Sequence, residues 1–308
     1  MPKVSVIIPT YNRADFLYSA ISSVLAQTFQ DFEIIVVDDA STDATRDITE
    51  GFKEKRLIYV NHKKNKGEAF SRNSGVMQAK GIYIAFLDDD DEWSPEKLSK
   101  QVDLLDNAAD NVGLVYTGYS VIEKNSQNVL SIKLPSNKGV VYEDIIRRNF
   151  IGTPSTVLIR RACIEKVGLF DEDIAYGLDH DMWIRIAQFF HFDYIGESLV
   201  RYNVHLNRIT NNTPLRAKGI EDLTKKYGND FILNNTFYRN SLLPLGVQLC
   251  ILGDMKNGIK LLKKAVRADP FILRNYFFLG SALCGEANFS RIRRMKHYLS
   301  ALIRDNSS

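Results

Sequence analysis

Three cysteines in 308 residues, Cys163, Cys250 and Cys284, are too few, too scattered and odd in number for a disulfide framework or a zinc site. They indicate a reducing compartment. No run approaches the roughly 20 apolar residues that span a bilayer. The best stretch, residues 271–284, is interrupted by Arg274 and Asn275. The N-terminus passes directly into a strand pattern, so no signal peptide is expected. No binding motif accompanies the basic residues, which argues against nucleic acid as a partner. The expectation is a cytoplasmic protein, with a peripheral place on the inner face of a membrane left open.

Apolar content of 45% and charged content of 25% are ordinary for a soluble globular chain. The formal charge of +3 hides an uneven distribution. Residues 215–308 carry 16 Lys/Arg against 7 Asp/Glu, which leaves 24 against 30 for residues 1–214. An acidic front invites a metal, and a basic back suits an anionic lipid or another acidic surface. The tail Arg291-Ile292-Arg293-Arg294-Met295-Lys296-His297 is the densest cationic stretch.

The front of the chain alternates apolar strands with amphipathic helices. Val4-Ser5-Val6-Ile7-Ile8-Pro9, residues 32–39, 57–60 and 82–87 read as strands, and 15–28, 41–54 and 68–78 as helices. That alternation specifies a parallel α/β sheet covered on both faces, with its ligand crevice at the strands' carboxyl ends. Further on, 95–107 reads as a helix, 112–122 as a strand, 123–138 as a polar loop and 140–148 as a short helix. A strand at 155–159, a helical turn at 161–167, an amphipathic helix at 179–190 and a late strand at 199–205 follow. Residues 207–214 read as a linker. Beyond it the helical periods at 241–252, 257–268 and 270–283 make residues 215–308 an all-helical appendage to a domain spanning 1–214. Gly253-Asp254-Met255 through Asp269-Pro270 resembles one tetratricopeptide-type helix pair.

The expected crevice collects Pro9-Thr10-Tyr11-Asn12-Arg13, Asp38-Asp39-Ala40-Ser41 and the run Asp88-Asp89-Asp90-Asp91-Glu92. Carboxylates so close repel unless solvated or neutralised by a cation. In an extended segment Asp88 and Asp90 share a face, a seat for a divalent metal with oxygen ligands. The alternative is an acidic loop capping the helix that begins at Ser94-Pro95.

Residues 4–13, 36–43, 86–93 and 179–185, with Ser71-Arg72-Asn73-Ser74-Gly75, together resemble the inverting family 2 glycosyltransferases of the GT-A fold, over about residues 1–210. The resemblance implies a Rossmann-like, mostly parallel sheet flanked by helices. It implies a nucleotide-sugar donor cradled by Pro9, Thr10, Tyr11 and Arg13, with Asp39 on the base edge, most simply uracil. Arg72 would lie near the nucleotide and Asp38 would support its loop. Asp88 and Asp89 would contact the donor, and Asp88, Asp90 and His205 would hold Mn2+ or Mg2+. The acidic motif heading a helix reads Leu178-Asp179-His180-Asp181-Met182-Trp183, so Asp179 falls at the catalytic-base position with Asp181 as runner-up. Leu178 departs from the glutamate usual there. Trp93 and Trp183 could stack on sugar, although core packing is the simpler role.

The function implied is metal-dependent transfer of a sugar, expected from a UDP-sugar, to a glycan or lipid-linked hydroxyl acceptor in surface-polysaccharide assembly. The basic tail is the expected contact with anionic membrane. One rival is a nucleotidyltransferase acting on sugar phosphates, but the loop after the first strand lacks the glycines that chemistry would want. The other is a non-catalytic nucleotide-sugar-binding protein.

Overall fold

The computed structural model describes residues 1–123, 126–205 and 212–285. The chain divides into two compact units, Met1–Arg208 and Ile209–Ser308.

In the first unit, continuous apolar runs become strands. These are β1 (Val4–Thr10), β2 (Phe32–Asp38), β3 (Leu57–Asn61) and β4 (Tyr83–Phe86), separated by α1 (Ala14–Leu25), α2 (Thr45–Gly51) and α3 (Glu68–Gln78). Every residue of β1, β2 and β4 is buried, as strands covered on both faces require. All four pair in parallel, in the order β3-β2-β1-β4. A Cβ on Gly75 would lie 2.4 Å from Ile7 Cγ2, so α3 approaches β1 more closely than any side chain there would allow.

The second half of the sheet departs from a parallel plan. It comprises β5 (Glu92–Trp93), α4 (Lys97–Asn107), β6 (Val112–Glu123), β7 (Asn128–Lys133), α5 (Tyr142–Arg147), a 3-10 turn at Pro154–Thr156, β8 (Val157–Arg160), α6 (Arg161–Val167), α7 (Leu178–Ala187) and β9 (His191–Val204). The order continues from β4 as β8-β6-β9-β5, with β7 on β6. β8 is antiparallel to β4 and β6, and β5 to β9, while β6 and β9 are parallel, so the whole sheet is mixed.

Two expectations change here. Part of the polar loop expected at 123–138 forms β7, whose Val129, Leu130 and Ile132 are each 57% exposed. Pairing on β6 alone, it carries no core-facing pattern to read. The late strand begins at His191 rather than residue 199, and its first half is interrupted by register shifts against β6.

The second unit is helical among its described residues: α8 (Thr213–Tyr227), α9 (Asn229–Asn234), α10 (Thr236–Ile251), α11 (Met255–Ala268) and α12 (Leu273–Leu283). Pro214, expected in a linker, opens α8. The Asn212 side chain accepts from Leu215 N at 3.0 Å, and proline in a first turn forfeits no hydrogen bond. A Cβ on Gly258 of α11 would lie 2.3 Å from Cys250 Sγ of α10, so the two helices meet closely there. Among the described residues no helix is long and apolar enough to cross a membrane. The basic tail at 291–297 lies outside the described residues.

Lys97 is fully buried at the start of α4. Its amine donates to Gln101 Oε1 at 2.6 Å and lies 3.9 Å from the Trp93 ring centroid. Gln101 in turn donates to Val115 O and Thr156 O, tying α4 to β6 and the 3-10 turn. Burial drives the Lys97 pKa well below the ordinary 10.5. Between the depressed folded value and 10.5 the unfolded chain binds the extra proton, so stability rises with pH. We expect the unfolding free energy from urea titrations to rise with pH on approach to 10.5, by up to about 1.4 kcal/mol per pH unit. Lys97→Met should remove that rise; an unchanged slope would place the titration elsewhere.

Candidate active site

The crevice is built from loops at the carboxyl ends of β1, β2 and β4. Asn12 adopts a left-handed conformation, φ 50°. Its N–H donates to Ser41 Oγ and its Oδ1 accepts from Thr42 N, both at 2.8 Å, locking the loop after β1 to the loop after β2. Asp43 Oδ2 accepts from Ala14 N at 3.0 Å and caps α1 from across the crevice. Asp38 accepts from Ser41 N and from the Tyr59 hydroxyl, which supports this loop.

Of the expected base cradle, Pro9 and Thr10 are buried because they complete β1 against Val37 and Asp38. Tyr11 is the exposed one, at 46%. Asp39 is also buried. Its carboxylate accepts from Lys66 N, Gly67 N and His62 Nδ1 at 2.7–3.0 Å. Those donors take up most of the roughly four lone-pair sites of a carboxylate. Asp39 therefore organises residues 62–67, ahead of α3, rather than standing open to a base edge.

The acidic run does not stay extended. Asp91 N donates to Asp88 O at 3.0 Å, closing a turn, and Glu92 and Trp93 then pair with Arg201 and Val200 of β9. The turn brings carboxylate oxygens of Asp88, Asp90 and Asp91 within 4.8 Å of one another. Asp91 joins this trio in the place expected of His205, while Asp89 turns toward Arg13. Arg13 Nη1 reaches Asp89 Oδ1 at 2.9 Å and Asp90 Oδ2 at 3.1 Å. Burial pushes the Asp89 pKa up to about 7, with Asp90 adding to the rise and Arg13 opposing it.

Asp91 is completely buried and accepts from Ser155 Oγ at 2.7 Å and Asn203 N at 3.3 Å. Asn203 Nδ2 also donates to Asp90 O at 2.9 Å. Neither Ser155 nor Asn203 carries a local signal, because each acts through a partner more than 60 residues away. His205 lies outside the trio and meets it through Asp90, Nε2 to Oδ2 at 2.9 Å, with its ring 4.4 Å from that of Phe16. Three hard carboxylates converging within one coordination sphere's span, with negative charge in excess of the neighbouring arginines, fit a divalent cation with oxygen preference.

Arg72 is 1% exposed, and its Nη2 is shared by Asp88 Oδ1 and Glu68 Oε1, each at 2.6 Å. The guanidinium is thus held within the protein instead of being offered openly to a phosphate. The rest of its motif is structural. Asn73 donates to Phe170 O and accepts from Phe170 N, both at 2.9 Å, and Gly75 permits the α3–β1 approach.

Asp179 stands in the first turn of α7, after Gly177 in the left-handed region, partly exposed. Asn149 Nδ2 donates to its Oδ2 at 3.1 Å. Its charge acts on both Glu68 and Arg72, which joins it electrostatically to Asp88. Burial, with help from Asp88 and Asp179, raises the Glu68 pKa against the pull of Arg72. Asp181 is fully buried and accepts from Arg185 Nε at 2.9 Å, and Arg185 donates to the carbonyls of Val167 and Leu169. Trp183 and Trp93 are 0% and 4% exposed, so neither presents a face for sugar stacking.

A mixed α/β sheet with an acidic cation-type cluster at its carboxyl edge defines a nucleotide-binding class of architecture. Residues 5–168 match the model of Glycosyl transferase family 2. An uncharacterized glycosyltransferase of Rickettsia prowazekii, RP339, is 32% identical over 225 residues, 72% of this chain and 70% of that protein. The E. coli UDP-Glc:alpha-D-GlcNAc-diphosphoundecaprenol beta-1,3-glucosyltransferase WfgD is 28% identical over 83% of this chain and 98% of its own. The chain spans only about two fifths of the length of several other rickettsial relatives. The S. aureus TarS 1–349 structure with UDP-GlcNAc superposes with a TM-score of 0.64 at 19% identity, covering 96% of this chain and 92% of that one. This chain belongs to glycosyl transferase family 2, and its first unit has the GT-A fold.

The two α7 acids should separate in stability. Asp181→Asn is expected to cost about 1–3 kcal/mol by weakening the Arg185 clamp. Asp179→Asn should leave the thermal midpoint nearly unchanged. Equal losses in calorimetry would give both acids the same structural role.

Proposed function

We propose that the chain is an inverting glycosyltransferase that moves a sugar from a UDP-sugar to a hydroxyl acceptor, with Mn2+ or Mg2+ at the acidic trio. The observation that carries this is a carboxylate trio of cation-binding geometry linked by charge to a partly exposed carboxylate. Asp88, Asp90 and Asp91 form a cation seat, and Asp179 is a partly exposed carboxylate coupled to Asp88 through Arg72 and Glu68. When bound, the metal would neutralise charge on the departing nucleoside diphosphate.

The protein's own groups supply the rest. Asp179 accepts the acceptor hydroxyl's proton as that oxygen bonds to the anomeric carbon. The bond from that carbon to the diphosphate oxygen breaks on the opposite face, which inverts the centre. Asn149 holds one Asp179 oxygen and leaves the other for the proton. Tyr11 is the side chain of the cradle with surface to offer a nucleobase. His205 and Arg13 both hold Asp90 at its Oδ2. A uridine donor is supported by the donor in WfgD's description and by the UDP-GlcNAc complex of TarS. WfgD's diphosphoundecaprenol acceptor supports a lipid-linked acceptor and a place in surface-polysaccharide assembly at the cytoplasmic membrane face. The basic tail at 291–297 is the proposed contact with anionic lipid.

Titration calorimetry with UDP and Mn2+ tests the seat. Asp90→Asn and Asp91→Asn should each weaken metal-dependent UDP binding by on the order of a hundredfold. Unchanged affinity in both would remove the trio from donor binding. Asp179→Asn should keep UDP affinity and lower transfer about 10²–10⁴-fold. Retained turnover would assign the proton to another group, and no turnover by the native chain with any nucleotide-sugar would favour a binding protein.

A further inference from the structure

Glu68 takes no part in the proton transfer proposed above, yet it shares Arg72 with Asp88 and feels the charge of Asp179. It opens α3 directly after Gly67, and its side chain is 32% exposed. Its Oε1 and Asp88 Oδ1 both lie 2.6 Å from Arg72 Nη2, and the guanidinium beneath them is buried, with its Nε making no hydrogen bond. Arg72 thus faces three carboxylates, Glu68, Asp88 and Asp179, the last close enough to act on Glu68 and Arg72 alike, while Arg13 adds a smaller opposing charge at Glu68. The Arg72 charge is spent on groups of the protein, and the wall it underlies stays electronegative.

On the function proposed above, on which this inference rests, the transferred sugar must reach from a diphosphate at the acidic trio to the proton acceptor Asp179. Any hydroxyl pointing at α3 then meets the Glu68 carboxylate, which can only accept hydrogen bonds. A sugar carrying its own carboxylate meets like charge in a partly desolvated wall, where repulsion is strongly felt. We infer that Glu68 is a donor-specificity residue, accepting a sugar hydroxyl and selecting neutral hexosyl or N-acetylhexosaminyl donors against uronic-acid donors.

Competition calorimetry with Mn2+ and three probes, UDP, UDP-glucose and UDP-glucuronate, tests this on the full chain. The native protein should bind UDP-glucuronate at least about tenfold more weakly than UDP-glucose. Glu68→Gln keeps an oxygen for Arg72 and removes the charge. It should leave the UDP Kd within about twofold and close most of the gap between the two sugars. Glu68→Ala, checked for an unchanged thermal midpoint, should close the gap and also weaken UDP-glucose. A gap that persists in both variants overturns the inference, as does a uniform loss of UDP affinity, which would mean that Glu68 serves only to hold Arg72. Failure of the native chain to bind UDP at all would instead overturn the donor assignment and this inference with it. UDP binding without discrimination removes this inference alone.

Discussion

Four adjacent carboxylates at 88–91 impose the constraint on which the rest of this structure depends. Crowded like charges at the end of a buried strand are tolerable only if each finds a compensating partner. The fold provides one for each. Asp88 takes Arg72 from α3, Asp89 and Asp90 share Arg13 from the loop after β1, and Asp91 takes Ser155 and Asn203. These partners come from positions spread from residue 13 to residue 203, so the acidic turn binds together both halves of the sheet. The arrangement distributes charge unevenly as well. Asp91 sinks fully into the protein, while Asp88 keeps about a fifth of its side chain at the surface.

That division of partners separates the two sides that the proposed mechanism assigns to donor and acceptor. The loops after β1 and β2 are stitched through Asn12, Ser41 and Thr42 and capped by Asp43, which stiffens the donor side before anything binds. Asp39 carries this stitching to residues 62–67 and so sets the entry to α3, which carries Glu68 and Arg72. The acceptor side is tied down by Asn73 on Phe170 and by Arg185 on residues 167–169. With Arg185 claiming Asp181, Asp179 is the α7 acid left to solvent. Two acids separated by one residue thus differ in environment because one faces the packed interior and the other the crevice.

Much of this could be read in advance. The parallel strands were legible because burial on both faces leaves continuous apolar runs, and the acidic loops were legible because they interrupt those runs at one edge. β7 and the first half of β9 were not, since a partly exposed, irregularly paired strand carries no clean alternation. α8 was hidden by Pro214, which means loop or helix start depending on whether the preceding Asn212 caps. The base candidate was legible only by resemblance, because nothing in the spacing of Asp179 and Asp181 says which one Arg185 will claim.

The sequence by itself determined the α/β order of the first unit, the helical character of the second and the concentration of acid at one sheet edge. Hydrophobic period and charge density are local properties, so they survive in one dimension. Only the tertiary structure decided that Asp91 completes the trio in the place expected of His205, that Asp39 is spent on backbone amides, that His205 meets the trio through Asp90 and that Arg72 is held between Glu68 and Asp88. Each of those outcomes depends on which distant donor reaches a given carboxylate first. That is settled by chain packing across tens of residues, and no local pattern records it.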